Sequence, residues 1–296
     1  MLGRLLISLL AGCAVAPGSE KASVMVVAVT GIDAYSETLE GIREQIPGVQ
    51  VLDARDEPRI REAIRANPPA LAIAVGSEAA AVLDRVAAGP LPVVRTVLLQ
   101  SDLERSVERP FSSSITVEMD PLALLTELRR LFPDKTRIGV ITGPAQSEVY
   151  LKTLEQAARQ LGLTLRILNC PEAREVVKVF LEFHSVDFVW CLPSPQLYNS
   201  ATLKPLLVAS ITGRLPIIGF SRQFVEAGAL FGGAADFHEV GRQTAALAVH
   251  LLRHETVPAK VEAHKFRFAY NQRVARLLGV KAVATYLAPS GIEVIR

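Results

Sequence analysis

Short apolar runs of four to eight residues recur along the chain, each rich in Val and Ile and bounded by turn residues. The runs cover residues 24–29, 71–75, 93–99, 138–142, 163–168, 188–192 and 217–220. Unbroken rather than alternating hydrophobicity is typical of strands that are covered on both faces. Segments with helical spacing separate the runs, at residues 37–45, 58–66, 77–87, 121–131, 147–161, 173–183 and 200–212. Alternating strands and helices predict α/β architecture, with parallel sheets and helices on both faces.

The order of strands and helices occurs twice, starting near residue 23 and again from residue 134. Between the two copies, residues 111–120 (FSSSITVEMD) form an extended polar link, and Asp120 with Pro121 is typical of an N-cap followed by proline at the first helical position. The pattern therefore predicts two doubly wound lobes joined by a hinge, with a boundary near Glu118. The cleft between such lobes is the predicted ligand site.

Composition and charge exclude several classes of protein. The 296 residues are half hydrophobic, so they can bury a large core, which excludes intrinsic disorder. Three Cys cannot hold a disulfide scaffold of this size together. The 32 basic and 30 acidic residues are interspersed, so no charged stripe supports nucleic acid as a partner.

The first residues have the layout of a targeting signal. The segment MLGRLLISLLAGC has one Arg, a short apolar core and small residues before Cys13, which predicts a lipoprotein-type signal peptide over residues 1–13. Its last four residues are similar to the lipobox of bacterial lipoproteins, in which Cys13 would be acylated and would anchor the mature chain to a membrane. Residues 14–22 are small and polar, as in a tether. These features predict a periplasmic or cell-surface location; an ordinary buried N-terminal helix is the alternative.

Ligands of open parallel sheets bind at the carboxyl ends of the strands, so the residues there are the candidate binding residues. Most of them are hydroxyls, amides and glycines, which hydrogen-bond a small molecule but do not readily attack one; Tyr35, Tyr198 and Phe220 are candidate apolar walls. The candidates for ligand binding are Asp33, Tyr35, Gly76, Ser77, Gln146, Ser147, Pro193, Ser194, Phe220 and Ser221. For each one alone, a helix cap or a turn is the competing interpretation.

The sequence predicts no catalytic residue, no metal site and no cofactor. It contains no G-x-S-x-G motif, no P-loop and no G-x-G-x-x-G after the first strand. His250 and His254 are four residues apart, but they fall at the end of a predicted helix, where polar side chains suit the dipole. Cys170 and Cys191 follow strands that flank a third strand, about two strand spacings of roughly 4.8 Å apart, which predicts two buried thiols rather than a disulfide.

Five ordered motifs resemble the periplasmic substrate-binding component family of ABC transporters that includes binders of tryptophan and other aromatic amino acids. They are LAIAVGSEAAAVL (71–83), KTRIGVITGPAQS (135–147), DFVWCLPS (187–194), RLPIIGFSRQFVEAGALFGG (214–233) and DFHEVGRQTAALAVHLL (236–252). The resemblance implies a type I periplasmic-binding fold and a lipid-anchored receptor that closes on a small molecule, such as an amino acid, and presents it to an ABC permease and its ATPase. By position, it implies ligand contacts from Ser77, Gln146, Ser147, Pro193, Ser194, Phe220 and Ser221.

The chain departs from the family pattern at two places. Arg95 replaces a residue that is usually apolar or aromatic in a strand that lacks the common following Asp-Pro, and Ser194 stands where the family often has Asp or Asn. Arg95 is expected either to pair with an anionic ligand or to be satisfied at a strand edge.

With three predicted chain crossings, near Glu118, at Gly232–Gly233 and over 257–266, the first lobe comprises residues 23–118 plus about 234–256. The second lobe comprises residues 119–232 plus about 257–296. A sensory or scaffolding module with the same fold remains an alternative function. So does a hydrolase that uses His238 as its base.

Overall fold

The computed structural model describes residues 23–87, 89–105 and 110–296. The predicted signal peptide, Cys13 and the tether lie outside these residues. The first half of the described chain alternates strands and helices as predicted. In chain order it contains β1 (Val24–Ala28), α1 (Asp33–Gln45), β2 (Gln50–Asp53), α2 (Glu57–Ala66), β3 (Leu71–Val75), α3 (Ser77–Val86), β4 (Val93–Leu98), α4 (Gln100–Arg105) and β5 (Ser112–Thr116).

The alternation continues after the first crossing. The next elements are α5 (Pro121–Leu131), β6 (Arg137–Thr142), α6 (Glu148–Gln160), β7 (Thr164–Asn169), a 3-10 turn (Ala173–Glu175), α7 (Val176–Leu181), β8 (Phe188–Cys191), α8 (Leu203–Gly213), β9 (Ile217–Gly219), α9 (Arg222–Ala227) and β10 (Phe231–Ala235). The last elements are α10 (Phe237–Leu252), β11 (Lys260–Glu262), β12 (Phe266–Asn271), α11 (Gln272–Leu278), α12 (Ala284–Leu287) and β13 (Glu293–Ile295).

The described strands form two sheets, one for each lobe. The first sheet has the order β11-β5-β4-β3-β1-β2 and the second has the order β13-β12-β10-β9-β8-β6-β7. All pairs are parallel except β10 with β12. Helices cover both faces, and β1, β3 and β8 are buried along their whole length, which explains their unbroken hydrophobicity. The predicted α/β fold of two doubly wound lobes is confirmed.

Five strands, β5 and β10 to β13, lack the unbroken apolar run that predicts a strand covered on both faces. β5 lies in the segment that was predicted to be a link, and Ser113 within it is buried. Its hydroxyl donates a hydrogen bond to the carbonyl of Pro258 at 2.7 Å, so the polar side chain is satisfied inside the sheet. β11, β12 and β13 are short or partly exposed additions near the sheet edges, and β10 contains two glycines.

The predicted role of Gly232 and Gly233 as flexible hinge residues is wrong. Both lie inside β10, where Gly232 pairs with β9 and both glycines pair with β12, and neither has a positive φ. A Cβ at Gly232 would lie 2.7 Å from the carbonyl oxygen of Gly219, and one at Gly233 would lie 2.6 Å from the methyl carbon of Met119. These glycines therefore allow close packing rather than freedom of the backbone.

The chain passes between the sheets near the three predicted crossings. The second crossing follows β10 at Asp236, so residues 234 and 235 are in the second sheet rather than in the first lobe. The third follows β11, which pairs with β5 in the first sheet, so residues 260–262 belong to the first lobe although the predicted division began the second lobe near 257. The two lobe boundaries lie later in the chain than predicted. The reason is that β10 and β11 each complete their pairing within one sheet before the chain crosses to the other lobe.

Three side chains that were predicted from the sequence to be buried are buried in the structure. Trp190 is 1% exposed in the core of the second lobe, as expected for an aromatic residue inside a strand. Cys170 follows β7 and Cys191 is the last residue of β8, with β6 between the two strands. Both cysteines are free and buried, so the prediction of two thiols is confirmed.

The first lobe is closed by α10, which crosses α1 at two facing glycines. A Cβ at Gly241 would lie 2.1 Å from the carbonyl oxygen of Thr38, and one at Gly41 would lie 2.1 Å from that of His238. These contacts are with backbone atoms, which cannot rotate away. The helices touch only because neither residue has a side chain.

Replacing Gly241 by Ala therefore lowers the free energy of unfolding by about 2 kcal/mol through overpacking, although Ala is the better helix former. Gly213, at the end of α8, is the matched control because nothing lies within 4 Å of its Cβ position. Urea unfolding measures both variants. An Ala at 241 that is tolerated as well as one at 213 would show that the helices do not pack this closely.

Candidate ligand-binding site

The carboxyl ends of the strands of both sheets face a cleft between the lobes, and the cleft contains two cavities. We call the first the polar chamber; it has a volume of about 250 Å³. Loops after β3 and β4 in the first lobe and after β6 and β8 in the second lobe form its walls. Its principal lining residues are Ser77, Asp102, Arg105, Glu118, Gln146 and Ser194.

The second cavity, which we call the apolar chamber, has a volume of about 560 Å³. It lies beside the start of α1, the start of α9 and the backbones of β10 and β12. Its apolar side chains come from both lobes and include Ile32, Val117, Met119, Phe220, Phe237 and Phe268. Leu99 and Pro193 line both chambers, so these two residues form the wall that the chambers share.

Seven of the ten predicted binding residues line these chambers. Ser77, Gln146 and Ser194 face the polar chamber, Asp33, Phe220 and Ser221 face the apolar chamber, and Pro193 faces both. Ser221 is also the N-cap of α9, because its hydroxyl accepts a hydrogen bond from the N–H of Phe224 at 3.1 Å. The cap and the cavity wall are therefore compatible roles for one residue.

Tyr35, Gly76 and Ser147 do not line either chamber. Tyr35 packs over Gly76, where a Cβ would lie 2.2 Å from the phenol oxygen. Ser147 is buried as the N-cap of α6, and its hydroxyl donates to Glu104 Oε1 at 2.7 Å. Since Glu104 belongs to α4, this hydrogen bond joins the two lobes. Tyr198, predicted as an apolar wall, packs against Phe220 and Phe224 behind the chamber.

The acidic groups of the polar chamber were not among the predicted binding residues. Asp102 lies two residues into α4; it accepts hydrogen bonds from Arg105 at 2.9 Å and from the N–H of Leu99 at 3.0 Å. Glu118 lies in the first crossing and accepts a hydrogen bond from the N–H of Gln100. Their positions in the sequence could have identified Asp102 and Glu118 as binding residues, since each closely follows a strand of the first sheet.

Burial raises the pKa of Glu118 from its ordinary value of 4.5 to about 7, because the carboxylate loses water on entering the cleft. The charge of Asp102 adds to this effect, whereas the hydrogen bond from Gln100 and the charge of Lys260 oppose it. The pKa of Tyr35 is also raised, first by burial and then by the charges of Asp102 and Glu78. Acidic side chains therefore act on both Glu118 and Tyr35 at this side of the cleft.

The alternative hydrolase would use His238 as its base, and this residue lies outside both chambers. His238 lies at the start of α10, and its Nε2 atom is 3.0 Å from Glu44 of α1. Neither residue lines the chambers. Within residues 23–87, 89–105 and 110–296, no group of three or more His, Cys, Asp or Glu side chains could hold a metal ion. In the same ranges, no helix combines the length and apolar character that crossing a bilayer requires.

A family model described as ABC transporter substrate binding protein matches residues 19–289. No curated protein matches the sequence. Among solved structures, the chain is similar to a ligand-free, open substrate-binding protein with adhesive properties from Clostridium difficile, with a TM-score of 0.72, 16% identity and coverage of 93% of this chain and 99% of that one. A conserved domain protein from Vibrio cholerae has a TM-score of 0.67, 18% identity and the same coverage.

A third similar structure is an ABC domain in complex with L-Trp from Streptococcus pneumonia, with a TM-score of 0.67 and 17% identity, again covering 93% of this chain and 99% of that one. At these identities the likeness shows the fold, which is that of type I periplasmic binding proteins.

Proposed function

Because the chain belongs to the family of ABC transporter substrate-binding proteins, we propose that it is the solute-binding component of an ABC-type importer and captures a small molecule in the interlobe cleft. The observation that carries the proposal is that each chamber is lined by side chains of both lobes. A solute that touches both lobes binds the closed arrangement more tightly than the open one. This difference in affinity is what moves the equilibrium toward closure.

The polar chamber is the proposed anchoring site for the polar groups of the solute. Ser77 from the first lobe and Gln146 with Ser194 from the second offer donors and acceptors there. Phe220 and its neighbours offer the apolar chamber to the rest of the molecule. Amino acids are among the first solutes to test, since one structure of similar fold was solved with L-Trp.

The proposal extends to where the protein works and what it meets. Acylation of Cys13 would anchor the mature chain at the outer side of a bacterial membrane, within reach of an ABC permease and its ATPase. The intact mass of the mature protein tests this part: cleavage before residue 13 with added acyl mass supports it, and an unmodified N-terminus contradicts it.

Filling the polar chamber is expected to abolish capture. Gln146 is half-buried in the chamber wall, so an indole at this position occupies space that the solute needs. Gln45→Trp is the matched control. Gln45 is exposed at the C-terminal end of α1, whereas the apolar chamber lies beside the start of that helix.

The measurement is a thermal-shift screen of amino acids, amines, sugars and other small metabolites, followed by small-angle scattering. At a hundredfold excess over its Kd, a captured solute raises the free energy of unfolding by about 2.7 kcal/mol. It also decreases the radius of gyration of the parent and of Gln45→Trp, but not that of Gln146→Trp. Binding that leaves the radius of gyration unchanged would contradict capture by closure.

A further inference from the structure

The charges around the two chambers indicate what class of solute they accept. Three cationic side chains line the chambers in the described part of the chain, and each is already paired with a carboxylate. Arg105 lies 2.9 Å from Asp102, Arg222 lies 2.7 Å from Glu293, and Arg267 lies 2.8 Å from Asp236. An anionic group of a solute would have to compete with these carboxylates for a guanidinium.

Two carboxylates lining the chambers have no such partner. Within the described residues, no Lys, Arg or His nitrogen lies within 4.0 Å of Glu118 or Asp33. Glu118 faces the polar chamber and Asp33 faces the apolar chamber. Lys260 acts on the charge of Glu118 but lies farther than 4.0 Å from it and pairs with Glu262. Burying a carboxylate without a close cation is costly, so a bound cation at Glu118 would supply an ion-pair partner that the protein does not.

The start of α3 does not reverse this preference. The N-cap residue Gly76 has no side chain, so backbone N–H groups near Ser77 are available to an anion. However, Glu78 occupies the first turn of the same helix, and its charge, together with that of Asp102, raises the pKa of Tyr35. A solute carboxylate at this helix end would therefore lie among like charges.

The shapes of the chambers indicate how a cation would lie. The smaller polar chamber contains Asp102 and Glu118, and the larger apolar chamber, whose carboxylates include Asp33, has walls of Phe220, Phe237 and Phe268. The two meet at Leu99 and Pro193. An elongated molecule with a charged head and an apolar body fits both, because each part lies in the environment that suits it.

We propose that the solute is an organic amine whose ammonium group pairs with Glu118 in the polar chamber, whose apolar body fills the apolar chamber, and which requires no carboxylate. The inference rests on the proposed function, since it assigns a substrate class to that cleft. It also identifies Glu118 as a residue that determines specificity.

Three compounds with one ring and different charged groups test the inference. 2-Phenylethylamine is L-phenylalanine without the carboxylate, and 3-phenylpropionate is L-phenylalanine without the amine. The corresponding indole set is tryptamine, L-tryptophan and 3-indolepropionate. Titration calorimetry on the parent is expected to show that one of the amines binds at least as tightly as its amino acid, and at least tenfold more tightly than its acid.

Glu118→Gln keeps the shape and the hydrogen-bond acceptor but removes the charge, and it is expected to weaken amine binding at least tenfold. Glu155→Gln is the control, because Glu155 is half exposed on α6, outside both chambers. Circular dichroism of each variant verifies folding. Phe220→Ala is expected to weaken the amine as well, through loss of the apolar wall.

The inference is overturned if neither amine binds at least as tightly as its amino acid and at least tenfold more tightly than its acid, or if Glu118→Gln binds the amine as the parent does. It is also overturned if neither amine binds while another solute of the library closes the cleft, in which case the proposed function stands. If no solute in the library binds, the proposed function itself fails.

Discussion

Replacing Arg95 by Met lowers the free energy of unfolding by about 3–5 kcal/mol, the cost of leaving one partner of a buried ion pair without the other. Arg95 lies in the middle of β4, where its side chain is 3% exposed, and its Nη2 atom is 2.8 Å from Asp84 Oδ1 on α3. Asp84 is itself 13% exposed. Without the guanidinium, a mostly buried carboxylate loses the charged partner that the structure gives it.

Urea unfolding monitored by circular dichroism measures this loss. Arg85→Met is the control. Arg85 lies on α3, as Asp84 does, and is 2.8 Å from Glu57, but its side chain is 56% exposed. Exposed pairs contribute about 0–1 kcal/mol, so the control is expected to change little. The double variant Arg95→Met with Asp84→Leu recovers part of the loss, since both charges are then absent. A cost at Arg95 no larger than that at Arg85 would contradict the buried pair.

The Arg95–Asp84 pair also resolves an ambiguity of the sequence. Arg95 is expected from the sequence either to meet an anionic ligand or to be satisfied at a strand edge, but β4 is an interior strand between β3 and β5. In the structure Arg95 does not line either chamber, and its carboxylate partner comes from the neighbouring helix. The sequence could not distinguish these outcomes, because Asp84 is eleven positions away and only the packing of α3 on the sheet brings the two together.

How much of the fold the sequence predicts depends on how each strand is buried. β1, β3 and β8 are covered on both faces, so selection for apolar side chains leaves a continuous run that can be read directly. β5 is buried too, but it is rich in Ser, and the hydroxyl of Ser113 is satisfied by a backbone carbonyl, so its sequence looks like a polar linker. β7 is an edge strand that is half exposed, although its apolar run predicted a strand covered on both faces.

The candidate site was predictable as a region but not as a set of charges. The rule that ligands bind at the carboxyl ends of parallel strands finds Ser77, Gln146 and Ser194, which line one chamber. It does not find Glu118, because β5, the strand that Glu118 follows, was predicted from its polar sequence to be a link. The acidic group that Ser194 lacks is supplied to the same chamber by Asp102 and Glu118 from the other lobe and the hinge.

Glu118 is expected to make the folded protein less stable as the pH rises from about 4.5 to about 7. Its pKa in the folded protein is about 7, raised mainly by burial, against 4.5 for an ordinary glutamate. Between these values the folded state keeps a proton that the unfolded state has released, so the free energy of unfolding falls with increasing pH. The full penalty, about 3 kcal/mol, is present above pH 7 and absent below pH 4.5.

The prediction is isolated by comparing the parent with Glu118→Gln, which cannot titrate at this position. The free energy of unfolding of the variant relative to the parent is expected to increase by about 3 kcal/mol between pH 4 and pH 8. The groups that act on Glu118 are Asp102 and the Gln100 N–H from α4 and Lys260 from β11, and all of them remain in the variant.

Urea unfolding at several pH values, without solute, gives the two profiles, and Glu155→Gln accounts for the general effect of removing a carboxylate. Parallel profiles for the parent and Glu118→Gln would mean that Glu118 is hydrated in the open cleft. Diverging profiles would mean that the charged form of Glu118 destabilises the folded protein when the cleft is empty. A bound cation would offset this destabilisation by favouring the charged form.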